Sequence, residues 1–245
     1  TKTLILIPSR MAATRLPGKP LLKINNLSII SHVFKRAEEA NIGEAVVATD
    51  DQEILNDVLK NGGKAILTSK NHKTGTDRIF EAYEKLNIKN IDYILNLQGD
   101  EPDINKDDII NLNNFMINQD AEIGTLAGKI QDDKVLNNRN VVKVITDKKL
   151  SENNFPKALN FTRDDLSIVS HNIYHHIGIY SYKVSVLKKF VSMDQTNNEK
   201  INKLEQLRAL DNKLKINVAL AKSSPIGVDT EEDYLAIKKI MEYKI

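Results

Sequence analysis

Residues 3–21 read TLILIPSRMAATRLPGKPL, and the reading of this stretch decides the fold. Leu4, Ile5, Leu6 and Ile7 form an unbroken apolar run, which predicts a short strand buried on both faces of a parallel sheet. Pro8 ends the run. The next dozen residues carry three cations (Arg10, Arg15, Lys19), small residues (Ser9, Ala12, Ala13) and a Pro17-Gly18 turn, before Pro20 leads into a second apolar run. Taken alone, such a loop reads most simply as solvated basic surface. Leaving the end of a buried strand, it also suits a polyphosphate, because small residues admit backbone N–H groups and the cations neutralise charge. It is not a P-loop: Ala13 stands where the glycine is needed, and Pro20 replaces the magnesium-binding hydroxyl residue. No G-x-G-x-x-G follows the strand, which disfavours a dinucleotide fold.

Outward from this stretch, helical and strand patterns alternate. Apolar spacing predicts a helix over 29–40, a buried strand over 45–48 and a helix over 52–60 closed by Gly62-Gly63. A strand over 64–67, a helix over 77–86 and a strand over 93–97 follow. This alternation predicts an α/β fold with a mostly parallel central sheet, in which ligands sit beyond the carboxyl ends of the strands. The loops after Ile7, Ala48, Leu67 and Leu97 all lie at those ends. From Ile123 onward the pattern changes. Strands over 141–145, 158–162 and 173–182, joined by polar loops at 138–141 and 150–157, make 128–183 an antiparallel excursion suited to substrate choice or self-association. A helix over 198–211, a strand over 216–220 and a helix over 231–243 complete the expected order. The whole is expected to be one domain over 1–245, with 128–183 as its subdomain.

Composition narrows the classes. A chain of 245 residues can bury a sizeable core. The formal net charge of +2 offers no broad nucleic-acid or membrane surface. The absence of cysteine excludes disulfides, thiolate catalysis and thiolate metal sites. No run approaches the ~20 apolar residues needed to cross a bilayer, and the opening does not read as a signal peptide, so a soluble cytosolic protein is expected. The sequence has 28 lysines and only 7 arginines, and five of the arginines (Arg10, Arg15, Arg78, Arg163, Arg208) fall inside the motifs singled out here. Guanidinium against such a lysine bias points to planar, bidentate contacts.

Three motifs sit where that sheet would place a ligand. HKTGTDR (72–78) joins a strand end to a helix start; Thr74 or Thr76 could simply cap the helix, or Thr74, Gly75 and the helix N-terminus could meet a nucleotide. LNLQGDEP (95–102) runs a buried strand into Gln98, a Gly99 turn, and Asp100-Glu101. Asp100 could be a turn residue or a magnesium ligand, since magnesium takes one or two carboxylates plus phosphate oxygens. In IGVDT (226–230), Thr230 to Asp233 already has capping-box spacing, so Asp229 is not needed as the helix cap.

The pattern IPSRMAATRLPGKPL (7–21) resembles the opening of the sugar-nucleotide cytidylyltransferases, and most of all the 3-deoxy-manno-octulosonate cytidylyltransferase (CMP-Kdo synthetase) family. HKTGTDR resembles that family's H-x-S-G-T-[DE]-R with Thr74 in place of serine, and QGDEP matches its Q-G-D-E-P. NFTR (160–163) resembles [YF]-F-S-R, HIGIY (176–180) matches H-x-G-[IV]-Y, and LEQLR (204–208) matches L-E-Q-L-R. The resemblance spans nearly the whole chain in order. It implies a Rossmann-like nucleotidyltransferase (GT-A-like) fold and transfer of CMP from CTP to an acidic octulosonate, activating that sugar for lipopolysaccharide synthesis. It also implies a homodimer. Arg10 and Lys19 would grip the triphosphate, with Ser9, Arg15, Thr74, Gly75, Arg78 and Gln98 around the nucleotide. Asp100 and Asp229 would hold magnesium. On the sugar side, Arg163 would take the carboxylate, with Gln98, His176, Tyr180, Glu205 and Gln206 around the rest.

Strand geometry bears on that list independently. Alternation puts His176, Gly178 and Tyr180 on one face and turns His175 away, which argues against a two-histidine metal site. Departures from the family pattern fall on the sugar half: Asn202 stands where an acidic residue is usual, and Lys183 where an arginine often follows the strand. The alternatives are therefore another acidic sugar, such as an amino variant of the octulosonate (Kdo8N) or a sialic acid, and a CTP-binding regulator without turnover.

Overall fold

The computed structural model describes residues 2–11, 14–168, 172–224 and 227–244. Ala12, Ala13 and Ile226, all named in the motifs above, lie outside the described residues. The chain forms two compact units, one of residues 1–110 and 225–245 and one of residues 111–224.

The first unit starts with β1 (Thr3–Ser9), a 3-10 turn (Lys19–Leu21), and the short hairpin β2 (Lys23–Ile24) and β3 (Leu27–Ser28). It continues through α1 (Ile29–Ala40), β4 (Gly43–Thr49), α2 (Gln52–Lys60), β5 (Ala65–Leu67), α3 (Gly75–Leu86) and β6 (Tyr93–Asn96). Its strands run in the order β6-β1-β4-β5, all parallel, with Ile5 of β1 level with Ala45 on one side and Leu95 on the other. β1 is an inner strand of this sheet, buried on both faces as its apolar run predicted. Leu4, Ile5, Leu6 and Ile7 have no exposed surface, each contributing about 1.5–3 kcal/mol by burial. α1 begins where Ser28 accepts a hydrogen bond from the Ser31 N–H, and it buries Ile29, Ile30, Val33, Phe34 and Ala37. α2 is capped by Asp51, which accepts from the Glu53 and Ile54 N–H groups. Both helices occupy the predicted residues.

α4 (Lys106–Asn118) follows, then in the second unit β7 (Ile123–Gly128), α5 (Lys134–Asn137), β8 (Lys143–Thr146), β9 (Ala158–Thr162) and β10 (Asn172–Lys183). α6 (Val184–Ser192), α7 (Asn197–Asn202), α8 (Gln206–Asp211) and β11 (Ile216–Leu220) complete that unit, and α9 (Glu231–Glu242) returns to the first. In the second unit β10 pairs antiparallel with β7 and β8, and β8 antiparallel with β9, which is the antiparallel excursion expected from the sequence. β11 lies parallel to β7.

Several features differ from the sequence reading. The β2–β3 hairpin, α4, β7, α5 and α6 were not foreseen. β10 carries a bulge between Ile177 and Tyr180, where two extra residues enter opposite β7; two keep the parity of the strand, so His176 and Tyr180 stay on one face. The helix expected over 198–211 is two helices, broken where Lys203 takes a left-handed conformation (φ 54°). The break has a partner-based reason. Glu199 and Arg208, nine residues apart, would be about 13.5 Å apart along one straight helix. Folded back at Lys203 they form a buried two-point ion pair, with Arg208 Nε and Nη2 donating to Glu199 at 2.9 and 2.6 Å.

Candidate active site

The carboxyl ends of β1 and β6, with the loop that follows β5, open onto a pocket of about 400 Å³, within the usual range for small-ligand sites. β1 delivers Ser9 and Arg10, and the loop beyond delivers Arg15 and Lys19. Gly18 turns the chain into the 3-10 segment at φ 68°, a conformation that favours glycine, and so brings Lys19 inward. The loop after β5 and the start of α3 supply His72, Lys73, Thr74, Gly75 and Arg78. Thr74 is the α3 cap, its hydroxyl accepting from the Asp77 N–H at 3.1 Å, so the capping and ligand-facing readings of this segment coexist. β6 runs out into Gln98, Gly99 and Asp100. A Cβ on Gly99 would stand 2.9 Å from the Pro8 carbonyl oxygen, so only glycine lets this turn lie against the end of β1.

All ten residues expected around nucleotide and metal line this one pocket. Asp229 arrives from the loop leading into α9. The Val228 N–H donates to the Asp100 carbonyl at 2.8 Å, which pins that loop against the β6 turn. Thr230 caps α9 in a capping box with Asp233, leaving the Asp229 carboxylate outside the cap, as its spacing predicted. The loop after Ala48, expected at the site, is not among the pocket residues; Asp51 caps α2, and Asp50 lies 3.5 Å from Arg78 Nη2.

The pocket holds five fixed cations (Arg10, Arg15, Lys19, Lys73, Arg78) and two carboxylates, a balance that favours an anion. Each carboxylate faces a cation: Arg15 Nη1 donates to Asp229 at 2.6 Å, and Lys19 Nζ stands 3.7 Å from Asp100. Arg78 is buried and its guanidinium is engaged, donating to Thr68 Oγ1 at 2.6 Å and the Ser69 carbonyl at 3.0 Å. It shapes the wall. Burial raises the Asp100 carboxyl above its ordinary range, Lys19 opposes this, and Asp229 raises it further, which shows that the two carboxylates feel one another. Burial, helped by Asp100, pushes Glu101 up to about 8.

Hard carboxylate oxygens next to a cationic pocket fit magnesium, which takes one or two carboxylates and completes its shell with phosphate oxygens and water. Among the described residues no cluster of three or more His, Cys, Asp or Glu forms a self-sufficient metal cage. The donor set fits an ion that arrives with a polyphosphate.

Of the residues expected on the sugar side, Gln98 lines the pocket of the first unit, and Arg163, His176, Tyr180, Glu205 and Gln206 lie in the second unit. Arg163 follows β9, and its Nη1 donates to the Asn140 carbonyl at 3.3 Å. The His176 ring lies between Phe161 (4.9 Å, edge-on) and Tyr180 (5.5 Å). Thr125 Oγ1 is 2.7 Å from the Ile179 carbonyl, which takes its only proton; its oxygen therefore accepts from His176 Nε2–H at 3.0 Å. Burial, and then His175, pull the His176 pKa down to about 3. The Tyr180 hydroxyl is buried with no hydrogen-bond partner among the described residues, and burial, Tyr182 and Glu205 raise its pKa well above the ordinary value. Glu205 occupies the position before α8 and Gln206 is the first residue of that helix. Thr125 and the Val228 tie to Asp100 carry no sequence signal, since each is visible only once distant strands and loops meet. Lys73 could have been noticed, because it sits inside HKTGTDR.

A family profile described as cytidylyltransferase matches residues 4–216. A 3-deoxy-manno-octulosonate cytidylyltransferase from Rhodopseudomonas palustris (strain BisB18) is 43% identical over 248 residues, with 99% of each chain covered. One of the same name from Thermodesulfovibrio yellowstonii is 44% identical over 255 residues, with 98% of each covered. The solved structure of CMP:2-keto-3-deoxy-manno-octonic acid synthetase complexed with CTP matches at a TM-score of 0.91 and 32% identity over 100% of both chains. UDP-glucose pyrophosphorylase complexed with UDP-glucose matches at a TM-score of 0.75 and 14% identity over 100% of both, a likeness of fold alone.

Proposed function

This chain belongs to the cytidylyltransferase family, and on that premise we propose that it transfers CMP from CTP to the anomeric hydroxyl of 3-deoxy-D-manno-octulosonate (Kdo), releasing pyrophosphate. The observation that carries the proposal is the meeting, in one cationic pocket, of Asp100 and Asp229 with Arg10, Arg15 and Lys19. The names and the CTP complex of the similar proteins support the choice of nucleotide and sugar.

Arg10 and Lys19 hold the β- and γ-phosphates and draw charge onto the departing pyrophosphate as the bond from the α-phosphorus to the bridging oxygen breaks. Ser9, Thr74, Gly75 and the α3 N-terminus line the nucleotide, with Arg15 at the rim, Arg78 fixing the wall and Gln98 contacting the nucleotide or the sugar. Asp100 and Asp229 would hold magnesium, which when bound would supply Lewis-acid charge to the phosphoryl transfer. Arg163 receives the sugar carboxylate as a two-point donor, and His176, Tyr180, Glu205 and Gln206 meet the hydroxyls. With no covalent intermediate required, catalysis rests on positioning and charge stabilisation. The excursion over 128–183 serves sugar choice and homodimer contact. The proposed compartment is the cytoplasm, where CTP is available.

Asp100→Asn tests the metal assignment. It keeps the shape of the side chain and removes its charge, so product formation with CTP, Kdo and magnesium falls at least about 10²-fold while the circular dichroism spectrum is unchanged. Wild-type turnover by that variant would refute the assignment.

A further inference from the structure

We propose that Lys143 is a positioning residue of the sugar site, holding Arg163 in place by tying together the backbone segments on either side of the Arg163–Asn140 contact. The inference rests on the reading that Arg163 receives the sugar carboxylate. Lys143 is a lysine with no exposed surface, set in β8 level with Thr162 of β9 and His175 of β10. Its ammonium donates to the Arg163 carbonyl at 2.9 Å and to the Asn138 carbonyl at 3.1 Å. The Arg163 side chain donates back to the Asn140 carbonyl. Residues 138–140 and 163 are therefore stitched twice, once through Lys143 and once through the arginine itself.

Polar but uncharged donors could satisfy two carbonyls, whereas burying a charge is costly. Burial lowers the Lys143 pKa, Asp164 and Asp165 raise it, and Arg163 and Arg139 act against its charge. A lysine serving only to join strands would not need to terminate on the backbone of the ligand-binding residue.

The test is steady-state pyrophosphate release by the full chain with CTP and Kdo, comparing wild type, Lys143→Met, Arg163→Ala and the double variant. Methionine keeps the length and apolar stem of lysine and removes the donors. Lys143→Met is expected to raise the Kdo KM about tenfold, the size of one charge-assisted hydrogen bond, with the CTP KM changed less than about twofold. In the Arg163→Ala background the same substitution should change the Kdo KM less than about twofold, because the residue it positions is gone. Equal effects in both backgrounds, or an equal rise in the CTP KM, would overturn the inference. If Lys143→Met does not fold, Lys143→Arg, which keeps the charge but displaces the donors, is read by the same criteria. An Arg163→Ala variant with an unchanged Kdo KM would refute the carboxylate role itself, whereas an Arg163 effect with no Lys143 effect would refute only the positioning role.

Discussion

At the scale of single residues, the pocket of the first unit balances cations against carboxylates before any substrate arrives. Arg15 faces Asp229 and Lys19 faces Asp100, so on the proposed reading a triphosphate with its metal would exchange these contacts for new ones instead of meeting bare charges. On the proposed reading the reactive phosphate and the acidic sugar are met by different side chains apart from Gln98, which makes their effects separable. Arg163→Ala should raise the Kdo KM by about 10- to 100-fold, the loss expected for a two-point charged contact, while the CTP KM stays within about twofold. Steady-state kinetics with each substrate varied in turn reads both. A loss of CTP affinity instead would move Arg163 to the nucleotide. His176 provides a second test, through protons. Its pKa of about 3 in the fold lies below the ordinary 6.5, so between those values the unfolded chain binds the extra proton and the fold does not. Stability therefore falls as pH drops from about 6.5 toward 3, by at most about 1.4 kcal/mol per pH unit from this group. His176→Gln should flatten the fall between pH 7 and 5 in urea unfolding; an unchanged slope would show that His176 is not held neutral.

At the scale of elements, helix ends and helix breaks set the site. Thr74→Ala should lower stability by about 1 kcal/mol through loss of the α3 cap, and because that cap faces the pocket it should also weaken CTP binding. Glu199→Ala strands the buried Arg208 and should cost about 3–5 kcal/mol in urea unfolding, since removing one partner of a buried pair leaves an uncompensated charge. A cost below about 1 kcal/mol would mean that the pair does not hold the α7–α8 break. The elements legible in the sequence were those with caps and clean spacing: α1 behind Ser28, α2 behind Asp51, α9 behind Thr230. α4 was missed because Asn111, Asn113, Asn114 and Asn118 weaken its helical signal, and α6 because Val184, Val186 and Val191 follow directly on a strand. The break at Lys203 depends on a pairing across nine residues, and no local pattern announces it.

At the scale of the whole molecule, the nucleotide pocket was legible because its residues lie within short loops at the ends of successive parallel strands, where topology alone directs ligands. Gln98, Asp100, Thr74 and Arg10 could be placed there from the strand pattern. The sugar residues were assigned by resemblance, since Arg163, His176 and Glu205 lie on separate elements whose packing rests on Thr125, Lys143 and the Glu199–Arg208 pair. On the proposed reading, the phosphate and metal roles fall on residues of the first unit and most of the sugar roles on residues of the second. The central claim, CMP transfer to Kdo, is tested most directly by pyrophosphate release with CTP and magnesium against a panel of acidic sugars: Kdo, its 8-amino variant and a sialic acid. Release with Kdo, matched mole for mole by CMP-Kdo, and little with sialic acid or with CTP alone is the expected result. Release driven best by another acid, or by none of them, would contradict it.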